Sequence, residues 1–446
     1  MNRSEAHPPA FHLLAKPTGA ICNLDCSYCF FLSKELLYPG SRFRMANEML
    51  ESYLRQIIEA HAAEREVVIA WQGGEPTMMG LDFFRRSVEI AEKLRLPHQV
   101  LTYTIQTNGT LIDERWATFF KEAGFLVGLS IDGPELIHDT YRVDSRGEGS
   151  FRRVLRGHEA LASAGVDWNA LTTVHAANEA HGVEIYRFLS DDLGARHLQF
   201  IPIVERSTSE MLEISNAGWN SRDGRSLYTQ RGEKVTERSV SPSGYGRFLI
   251  EVFEEWLRGD VGEVFVQMFD VALANFAGEP PGLCVHSETC GRALALEHNG
   301  DLYSCDHFVE PAHLLGNIAE TTMVELVSSP KQRAFGEAKR DALPAYCRSC
   351  ELRFACHGGC PKDRFALTDD GERGLNYLCP SYKAFFSHIA PVMQEMRNLL
   401  SVGRAPADVT IGVLASDAAR GRNDSCPCNS GRSWKRCHGA SRRSAR

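Results

Sequence analysis

Fourteen cysteines constrain this 446-residue chain more than any other feature of its sequence. Three lie near the N-terminus, eight lie between Cys284 and Cys379, and three lie at the C-terminus. Residues 1–30 lack the basic stretch, apolar run and cleavage site of an export signal. In a reducing compartment, thiols serve as metal ligands or nucleophiles more often than as disulfides. We therefore expect a cytoplasmic protein with several metal centres.

Charge and hydropathy exclude two classes of partner. The net charge of −8 argues against nucleic acid as the main ligand, because phosphate binding needs a basic surface. Basic residues crowd only at the C-terminus, at Arg432, Lys435, Arg436, Arg442, Arg443 and Arg446. No apolar run reaches the roughly 18 residues that a membrane span needs. We expect no membrane partner.

In the first half of the chain, apolar β-rich runs alternate with segments of helical period. This alternation predicts an α/β fold with a mostly parallel sheet, open or curled into a partial barrel, and ligands at the carboxyl ends of its strands. Strands are expected at Val67 to Trp71, Leu101 to Gln106, Leu126 to Ile131, Leu171 to Val174 and Leu198 to Ile203. Helices are expected at Ala46 to Ala62, Leu81 to Leu94, Asp113 to Ala123, Phe151 to Ala164 and Glu179 to Leu193.

The second half has a different organisation. Ser207 to Ser243 is polar and without a sustained period, which is typical of a long connection or lid. After a helix at Tyr245 to Arg258, the eight-cysteine region is loop-rich and short of apolar strands, as expected where metal replaces a core. A helix at Ser381 to Leu400 follows, and then a small, polar stretch. These features divide the chain into domains at 1–243 and 244–400, a linker at 401–424 and a terminal module at 425–442.

The N-terminal cysteines Cys22, Cys26 and Cys29 are close enough for one short loop to wrap a single metal centre. Three protein ligands leave a fourth position open, and the open iron of a [4Fe–4S] cluster can chelate a cofactor. A zinc knuckle without its fourth ligand and a chance spacing are the alternatives. The C-x3-C-x2-C spacing, with the aromatic Tyr28 before the last cysteine, resembles the radical S-adenosylmethionine superfamily. The resemblance implies a partial (β/α)6 barrel of TIM-like type that binds this cofactor.

Polar and glycine residues follow the predicted strands at the same rim. Gly73, Gly74 and Glu75 come after the strand that ends at Trp71, where glycines allow the backbone to approach a ligand. After the cysteine triad, they resemble the superfamily's motif for the methionine amino group. Singly, each polar residue here is as well explained by a turn or a helix cap. The candidate cofactor contacts are Tyr28, Gly73, Gly74, Glu75, Asn108, Ser130, Ile203 and Arg142, whose cation would meet the cofactor's carboxylate.

The eight cysteines of the second group suffice for two complete four-cysteine sites. Two zinc sites are one interpretation, because paired C-x2-C elements are common in zinc ribbons. The pattern also resembles the SPASM auxiliary-cluster domain, most closely that of the anaerobic sulfatase-maturating enzymes, over roughly the first 390 residues. By that resemblance, one [4Fe–4S] cluster is held by Cys284, Cys290, Cys305 and Cys360. The other is held by Cys347, Cys350, Cys356 and Cys379.

Asp306 directly follows Cys305 and matches the position of the family's proposed catalytic base. An isolated aspartate in such a place is otherwise a turn residue that accepts backbone hydrogen bonds. The resemblance implies that its carboxylate removes a proton from the substrate.

The terminal module offers three thiolates and one imidazole, a full tetrahedral zinc set. These residues are Cys426, Cys428, Cys437 and His438. The segment resembles the small SEC-C zinc module. Because its coordination shell is closed, we expect it to bind a partner, such as another protein or the ribosome, and not to do chemistry. A solvated basic tail without a partner is the alternative.

The resemblance implies the oxidation of a cysteine or serine of a sulfatase to 3-oxoalanine (Cα-formylglycine) without oxygen. It implies three [4Fe–4S] clusters, S-adenosyl-L-methionine and one Zn²⁺ as cofactors. The expected partners are an unfolded or nascent sulfatase polypeptide and an electron donor such as flavodoxin or ferredoxin. A peptide maturase that forms thioether or other crosslinks, and a non-enzymatic zinc-rich interaction protein, are the alternatives. The sequence does not choose between serine and cysteine as the substrate residue.

Overall fold

The computed structural model describes residues 10–219, 226–428 and 431–438. The basic residues Arg442, Arg443 and Arg446 and the last part of the terminal module lie outside the described residues. The strands are β1 (His12–Lys16), β2 (Glu66–Trp71), β3 (Val100–Thr107), β4 (Phe125–Ser130), β5 (Trp168–Val174), β6 (His197–Pro202), β7 (Arg206–Ser207), β8 (Lys234–Val235), β9 (Phe265–Val266), β10 (Ala293–Glu297), β11 (Asp301–Tyr303), β12 (Leu314–Asn317), β13 (Ala366–Leu367) and β14 (Arg373–Leu375).

The helices of the first half are α1 (Asn47–Ala60), α2 (Leu81–Leu94), α3 (Glu114–Glu122), α4 (Glu135–His138), α5 (Phe151–Ala164), α6 (Gly182–Arg187) and α7 (Leu212–Ala217). Those of the second half are α8 (Gly244–Trp256), α9 (Gln267–Ala277), α10 (Met323–Val327), α11 (Pro330–Asp341), α12 (Ala345–Arg348), α13 (Arg353–Cys356), α14 (Cys379–Ser401) and α15 (Val409–Ala418). In the described parts of the chain, none of the helices is long and apolar enough to cross a membrane.

Ten strands form one sheet in the order β12-β11-β10-β1-β2-β3-β4-β5-β6-β9. β1 to β6 pair in parallel, each with the next along the chain, and the helices between them make the crossovers. The prediction of an α/β fold with a mostly parallel sheet is confirmed. The sheet stays open, since β12 and β9 are its two edges.

The sequence analysis missed the strands that complete this sheet on the β1 side. β1 itself precedes the first cysteine and is too short to show a clear period. β10 lies in the eight-cysteine region, which we expected to be short of apolar strands, yet it pairs in parallel with β1. Its residues Leu294, Ala295 and Leu296 are fully buried. The expectation that this region is short of apolar strands was wrong. Without β10, β1 would present an open, apolar edge.

The predicted helix at Glu179 to Leu193 is shorter than expected. α6 begins only at Gly182, and the chain continues as one π-helical turn from Phe188 to Asp192. Asn178 explains the late start, because its side chain accepts a hydrogen bond from the His175 amide at 2.7 Å and donates one to the Thr173 carbonyl at 2.9 Å. Such local side-chain bonds favour a turn over a helix.

α8 connects the two halves of the molecule. Eleven of its thirteen residues are buried, so it is a core helix and not a surface helix. It packs against α14, and the Gly246 amide donates a hydrogen bond to the Ser381 hydroxyl at 2.8 Å. A Cβ atom at Gly246 would lie 2.6 Å from the Ser381 carbonyl oxygen, so the two helices approach through glycine.

The segment 401–424, for which we expected a linker, contains α15. Asp417 on this helix forms an ion pair with Arg258 at 2.7 Å, and both side chains are mostly buried. A segment held in this way does not behave as a flexible connection. The terminal cysteines Cys426 and Cys428 belong to the same buried apolar core as α8 and α14.

We expect Gly246→Ala to lower the free energy of unfolding by about 1–3 kcal/mol, the usual cost of overpacking a close contact. Gly412→Ala is the matched control, because that helical glycine has no atom near its missing Cβ. The control should instead gain about 0.5–1 kcal/mol from the better helix propensity of alanine. Urea unfolding of the two variants and the wild type measures both changes. Equal stability of the two variants would contradict the close α8–α14 contact.

Candidate active site

A cavity of about 1230 Å³ lies against the sheet and is shared by both halves of the chain. The first half contributes Tyr28 of the cysteine loop and polar side chains of the strands. The second half contributes Asp306 and four of the eight grouped cysteines. The lining residues that bear on chemistry are Tyr28, Gln72, Gln106, Gln199, Ile203, Cys284, Cys290, Cys305, Asp306 and Cys360.

The N-terminal cysteines occupy the loop that follows β1. Asn108, at the end of β3, directs its Nδ2 at the Cys22 Sγ, 3.6 Å away. Burial raises the pKa of Cys22 well above its usual value, and the nearby thiols of Cys26 and Cys29 raise it further. Burial likewise raises the pKa of Cys26 to about 12. Three partly buried thiols on one short loop need a positive centre if they are to be thiolates, and a metal cluster supplies one.

The glycine motif holds the cysteine loop. The amide of Gly74 donates to the Gly19 carbonyl at 2.8 Å, and the amide of Glu75 donates to the Ile21 carbonyl at 2.9 Å. A Cβ atom at Gly74 would lie only 2.0 Å from the Ile21 oxygen. These two N–H groups are therefore not free to bind a ligand. The carbonyls of Gly73 and Gly74 remain as candidate acceptors for the cofactor amino group.

Glu75 is fully buried and its carboxylate already has several donors. It accepts hydrogen bonds from the Thr77 and Thr107 hydroxyls at 2.6 and 2.8 Å and from the Asn108 amide at 2.7 Å. These bonds join the end of β2 to the end of β3 and hold Asn108 in place. The predicted contact of Glu75 with the cofactor stays a prediction.

Arg142 also has another partner than expected. Its Nε and Nη2 atoms donate to the two carboxylate oxygens of Asp132 at 2.8 and 3.1 Å, and both side chains are buried. Although burial opposes ionisation, Arg142 holds the pKa of Asp132 below its usual value. Tyr28 donates its hydroxyl to the same carboxylate at 2.7 Å. The buried Asp132 thus has this guanidinium as its counter-charge, and the predicted contact of Arg142 with the cofactor's carboxylate stays a prediction.

The remaining predicted contacts lie at strand ends. Ser130 is the last residue of β4 and is partly buried. Ile203 directly follows β6, where its amide donates to the Val174 carbonyl at 2.8 Å and its side chain lines the cavity. Of the eight predicted cofactor contacts, Tyr28 and Ile203 line the large cavity.

Asp306 lies at the meeting point of the two halves. The Lys16 ammonium, at the end of β1, lies 2.5 Å from its carboxylate, and Lys16 is only 2% exposed. Burial alone would raise the pKa of Asp306, but Lys16, and then His307, hold it below the ordinary value. The carboxylate is thus ionised and faces the cavity. A general base must meet both conditions. An isolated turn residue would not have a buried lysine as its partner.

Lys16, Gln72 and Gln106 were missed by the sequence analysis. The Lys16 ammonium donates to the Gln72 amide oxygen at 3.4 Å, and Gln72 donates to the Gln106 amide oxygen at 2.7 Å. With Asp306 they form a polar row across three adjacent strands. The signal was present, since each of the three is a polar residue at the carboxyl end of an otherwise apolar strand.

The eight grouped cysteines separate into two sets in space. Cys284, Cys290, Cys305 and Cys360 line the large cavity. Cys347, Cys350, Cys356 and Cys379 line a second, smaller cavity that is almost wholly apolar. Within each set, the thiols raise one another's pKa. At Cys360, burial raises the pKa most, and Asp363 and Cys284 raise it further. At Cys379, burial again raises the pKa most, and Cys347 and Cys350 raise it further.

The spacing of these thiols bears on which metal they fit. Among the described residues, Cys426, Cys428, Cys437 and His438 are the only group of three or more candidate ligands whose atoms all lie within 4.8 Å of one another. Four thiolates on one zinc ion lie about 4 Å apart, because each Zn–S bond is about 2.3 Å. A four-iron cluster binds each thiolate to a different iron and separates them more widely. The eleven upstream cysteines therefore fit clusters better than single zinc ions.

Family models match three parts of the chain. The Radical SAM superfamily matches residues 17–189, the iron-sulfur cluster-binding domain matches 284–351, and the SEC-C motif matches 422–440. A serine-type anaerobic sulfatase-maturating enzyme of Bacteroides thetaiotaomicron is 41% identical over 402 residues, which are 89% of this chain and 94% of the relative. The chain belongs to the anaerobic sulfatase-maturating enzymes. As a member of this family, the chain has a radical SAM domain with sites for [4Fe–4S] and for S-adenosylmethionine.

Both types of this family are similar to the chain. A cysteine-type anaerobic sulfatase-maturating enzyme of Clostridium perfringens is 33% identical, over 87% of this chain and 99% of the relative. The solved structure of native anSMEcpe with bound AdoMet and Cp18Cys peptide has a TM-score of 0.73 and 32% identity, and covers 88% of this chain and all of that one.

The terminal site of this family member is compact and docked. The Cys426 Sγ lies 3.1 Å from the His438 Nδ1, and the Cys428 Sγ lies 3.5 Å from the Cys437 Sγ. The His438 Nε2 makes a hydrogen bond of 3.0 Å with the Glu251 carbonyl on α8. Because this bond takes the Nε2 proton, Nδ1 keeps a lone pair for a metal ion.

An aromatic contact fixes the same module to the enzyme body. The Trp434 ring lies between the guanidinium groups of Arg258, 4.9 Å away, and Arg420, 5.6 Å away. Asp417 pairs with Arg258 at 2.7 Å and lies 3.6 Å from Arg420. The module therefore packs on the α8–α15 surface and is not a separate body on a tether.

Because the candidate metal ligands Cys426 and Cys428 belong to the same core as α8 and α14, we expect His438→Ala to lose any metal that this site holds and to lower the melting temperature of the full chain by several degrees. Elemental analysis and thermal unfolding measure the two effects. Lys435→Ala, an exposed change within the same module, should leave both unchanged. A variant without the metal that melts at the wild-type temperature would show that the module does not support the fold.

Proposed function

We propose that this enzyme oxidises a cysteine or serine in the active-site motif of a sulfatase to 3-oxoalanine (Cα-formylglycine) without oxygen. The observation that carries the proposal is the ionised carboxylate of Asp306. It lies in the same cavity as Tyr28 of the N-terminal cysteine loop and Cys305 of the second group. Serine-type and cysteine-type relatives, and a relative with a bound peptide, support a polypeptide substrate.

The N-terminal cluster and S-adenosylmethionine, when bound, supply a 5′-deoxyadenosyl radical that takes a hydrogen atom from the substrate Cβ. The chain's own residues do the rest. Asp306 accepts the proton of the substrate S–H or O–H group, and Lys16 keeps its carboxylate ionised and oriented. The side-chain amides of Gln72 and Gln106 can bind the peptide backbone of the substrate, since both line the cavity. A thioaldehyde formed from cysteine is then hydrolysed.

The proposal includes three [4Fe–4S] clusters. Cys22, Cys26 and Cys29 would hold the first. The spatial separation of the other eight cysteines supports one cluster on Cys284, Cys290, Cys305 and Cys360 and another on Cys347, Cys350, Cys356 and Cys379. The two sets interleave along the chain, because Cys360 of the first set lies between Cys356 and Cys379 of the second. The spacing of the cysteines alone does not predict this order.

For the cofactor itself, we propose contacts from Tyr28, Gly73, Gly74, Glu75, Asn108, Ser130, Arg142 and Ile203, with the carbonyls of Gly73 and Gly74 as acceptors for its amino group. All belong to the cysteine loop or to segments at the carboxyl ends of strands. The terminal ligands Cys426, Cys428, Cys437 and His438 would hold one Zn²⁺. A one-electron donor such as flavodoxin or ferredoxin would reduce the N-terminal cluster, and another protein or the ribosome would bind the terminal module.

Anaerobic incubation with a short sulfatase-type peptide tests the function. We expect mass spectrometry to detect the aldehyde from the cysteine peptide, the serine peptide or both, in a protein that holds about 12 irons in three four-iron clusters. Asp306→Asn should lower aldehyde formation about 100- to 10,000-fold, as loss of a general base does, with normal iron and 5′-deoxyadenosine. Asp301→Asn, a carboxylate on β11 that does not line the cavity, is the control. A normal aldehyde yield from Asp306→Asn would show that Asp306 is not the base, whereas a crosslinked peptide without an aldehyde would favour the crosslinking alternative.

A second expectation concerns pH. Since the pKa of Asp306 lies below its ordinary value, its ionised form persists above that pKa and is lost as pH falls through it. Lys16→Met removes the counter-charge, so the pKa should rise and the acidic limb of the rate of aldehyde formation should move to higher pH. Lys16→Arg should keep the limb near the wild-type position. An unmoved limb in Lys16→Met would show that Lys16 does not set the ionisation of the base.

A further inference from the structure

Two cations near the auxiliary cysteines have no carboxylate partner in the part of the chain that the structure describes. Lys339, on α11, is 1% exposed, and Arg364 is partly buried. Neighbouring cations do have such partners, since Arg340 pairs with Asp341 at 2.7 Å. A buried cation without a counter-charge is costly. The question is therefore which anion faces Lys339 and Arg364.

Lys339 holds the loop that carries the first two cysteines of the cavity-side set. Its ammonium donates to the carbonyls of Cys284 at 2.5 Å and Val285 at 3.0 Å, and also to that of Ser287. All of these acceptors are neutral. Burial lowers the pKa of Lys339 to about 8, and the thiols of Cys360, Cys284 and Cys290 act in the opposite direction when they are charged.

Arg364 holds the turn that joins the two sets. This turn, His357–Gly359, lies between Cys356 and Cys360, and its three residues all have positive φ, at 47°, 72° and 61°. Arg364 donates to the carbonyls of His357 at 2.8 Å, Gly358 at 2.9 Å and Gly359 at 3.2 Å. One arginine thus donates to three successive carbonyls of a left-handed run, of which that of Gly358 also accepts from the Asn376 side chain at 3.2 Å.

Arg364 also connects to Lys339 and faces both sets of thiols. Its Nη1 donates to the Lys339 carbonyl at 2.5 Å. Burial lowers the pKa of Arg364, and thiols of both sets, Cys360 and Cys290 of one and Cys347 and Cys356 of the other, act in the opposite direction when they are charged. Lys339 is bound to the loop of one set, and Arg364 is bound to the turn between the two sets.

We propose that Lys339 and Arg364 are positioning residues that raise the reduction potentials of the auxiliary clusters, Lys339 for the cavity-side cluster and Arg364 for both. The proposal rests on the cluster assignment under the proposed function. Four thiolates on a four-iron cluster give a net negative charge, which is the anion that these cations lack. One-electron reduction adds a further negative charge, so a fixed cation nearby stabilises the reduced form.

This role fits the electron balance of the proposed oxidation. Conversion of the substrate to an aldehyde removes two electrons. Hydrogen-atom transfer removes one of them, and the second must pass to a one-electron acceptor. A higher potential at the cavity-side site makes it the better acceptor, and an iron–sulfur or flavin carrier protein would take the electron onward.

The test measures potentials and not turnover. Potentiometric titration followed by electron paramagnetic resonance is done on the full chain with Cys22, Cys26 and Cys29 replaced by alanine, so that the auxiliary clusters remain. Lys339→Met should lower the potential of one cluster and leave the other unchanged, whereas Arg364→Met should lower both. Arg340→Met is the matched control, because that cation is the neighbour of Lys339 on α11 but is exposed and paired with Asp341. It should leave both potentials unchanged.

Lys339→Arg keeps the charge and should restore the potential and the iron content if Lys339→Met loses either. If Lys339→Met and Arg364→Met keep their iron and have wild-type potentials, the proposal is overturned. The two residues would then only stabilise the backbone. Loss of iron from both Lys339→Met and Lys339→Arg would also overturn it, because the site would then need the shape of lysine and not its charge. Zinc in place of iron in the unmutated protein would instead overturn the cluster assignment of the proposed function.

Discussion

β1 and β10 pair in parallel, with His12 opposite Ala293 and Lys16 opposite Glu297, and the active site depends on this contact. The chain leaves β1 into the loop of the N-terminal cysteines. It leaves β10 through β11 into Cys305 and Asp306. The pairing therefore places Asp306, the proposed base, next to Lys16 at the start of the loop of the N-terminal cysteines, although 290 residues separate Lys16 from Asp306.

Buried charges organise the rest of the site. Asp132 with Arg142 fixes the position of Tyr28, and Asp306 with Lys16 keeps the base ionised. Each pair is expensive to break, because loss of one partner leaves an uncompensated buried charge. Lys339 and Arg364 also need a counter-charge, which the clusters of the auxiliary region would supply. If the clusters are this counter-charge, metal binding and folding are coupled in this half of the chain.

The docked terminal module adds a constraint on how the enzyme presents itself to partners. Its histidine is held by the Glu251 carbonyl of α8, and Trp434 is packed between Arg258 and Arg420. α8 in turn packs on α14, whose first residue is Cys379. A partner bound to the module would therefore act on a rigid surface that is continuous with the auxiliary region.

The sequence by itself determined the parallel sheet and the three groups of cysteines, because strand periodicity and ligand spacing are local properties, whereas Asp306 as a candidate base came from the resemblance to the family. α2 and α5 have the bounds that their periods predict. Tertiary structure decided what depends on contacts between distant segments. It paired β1 with β10, gave Asp306 to Lys16 and Arg142 to Asp132, and placed α15 where a linker was expected. A charged side chain takes the partner that compensates its burial, and only the folded chain determines which partner that is.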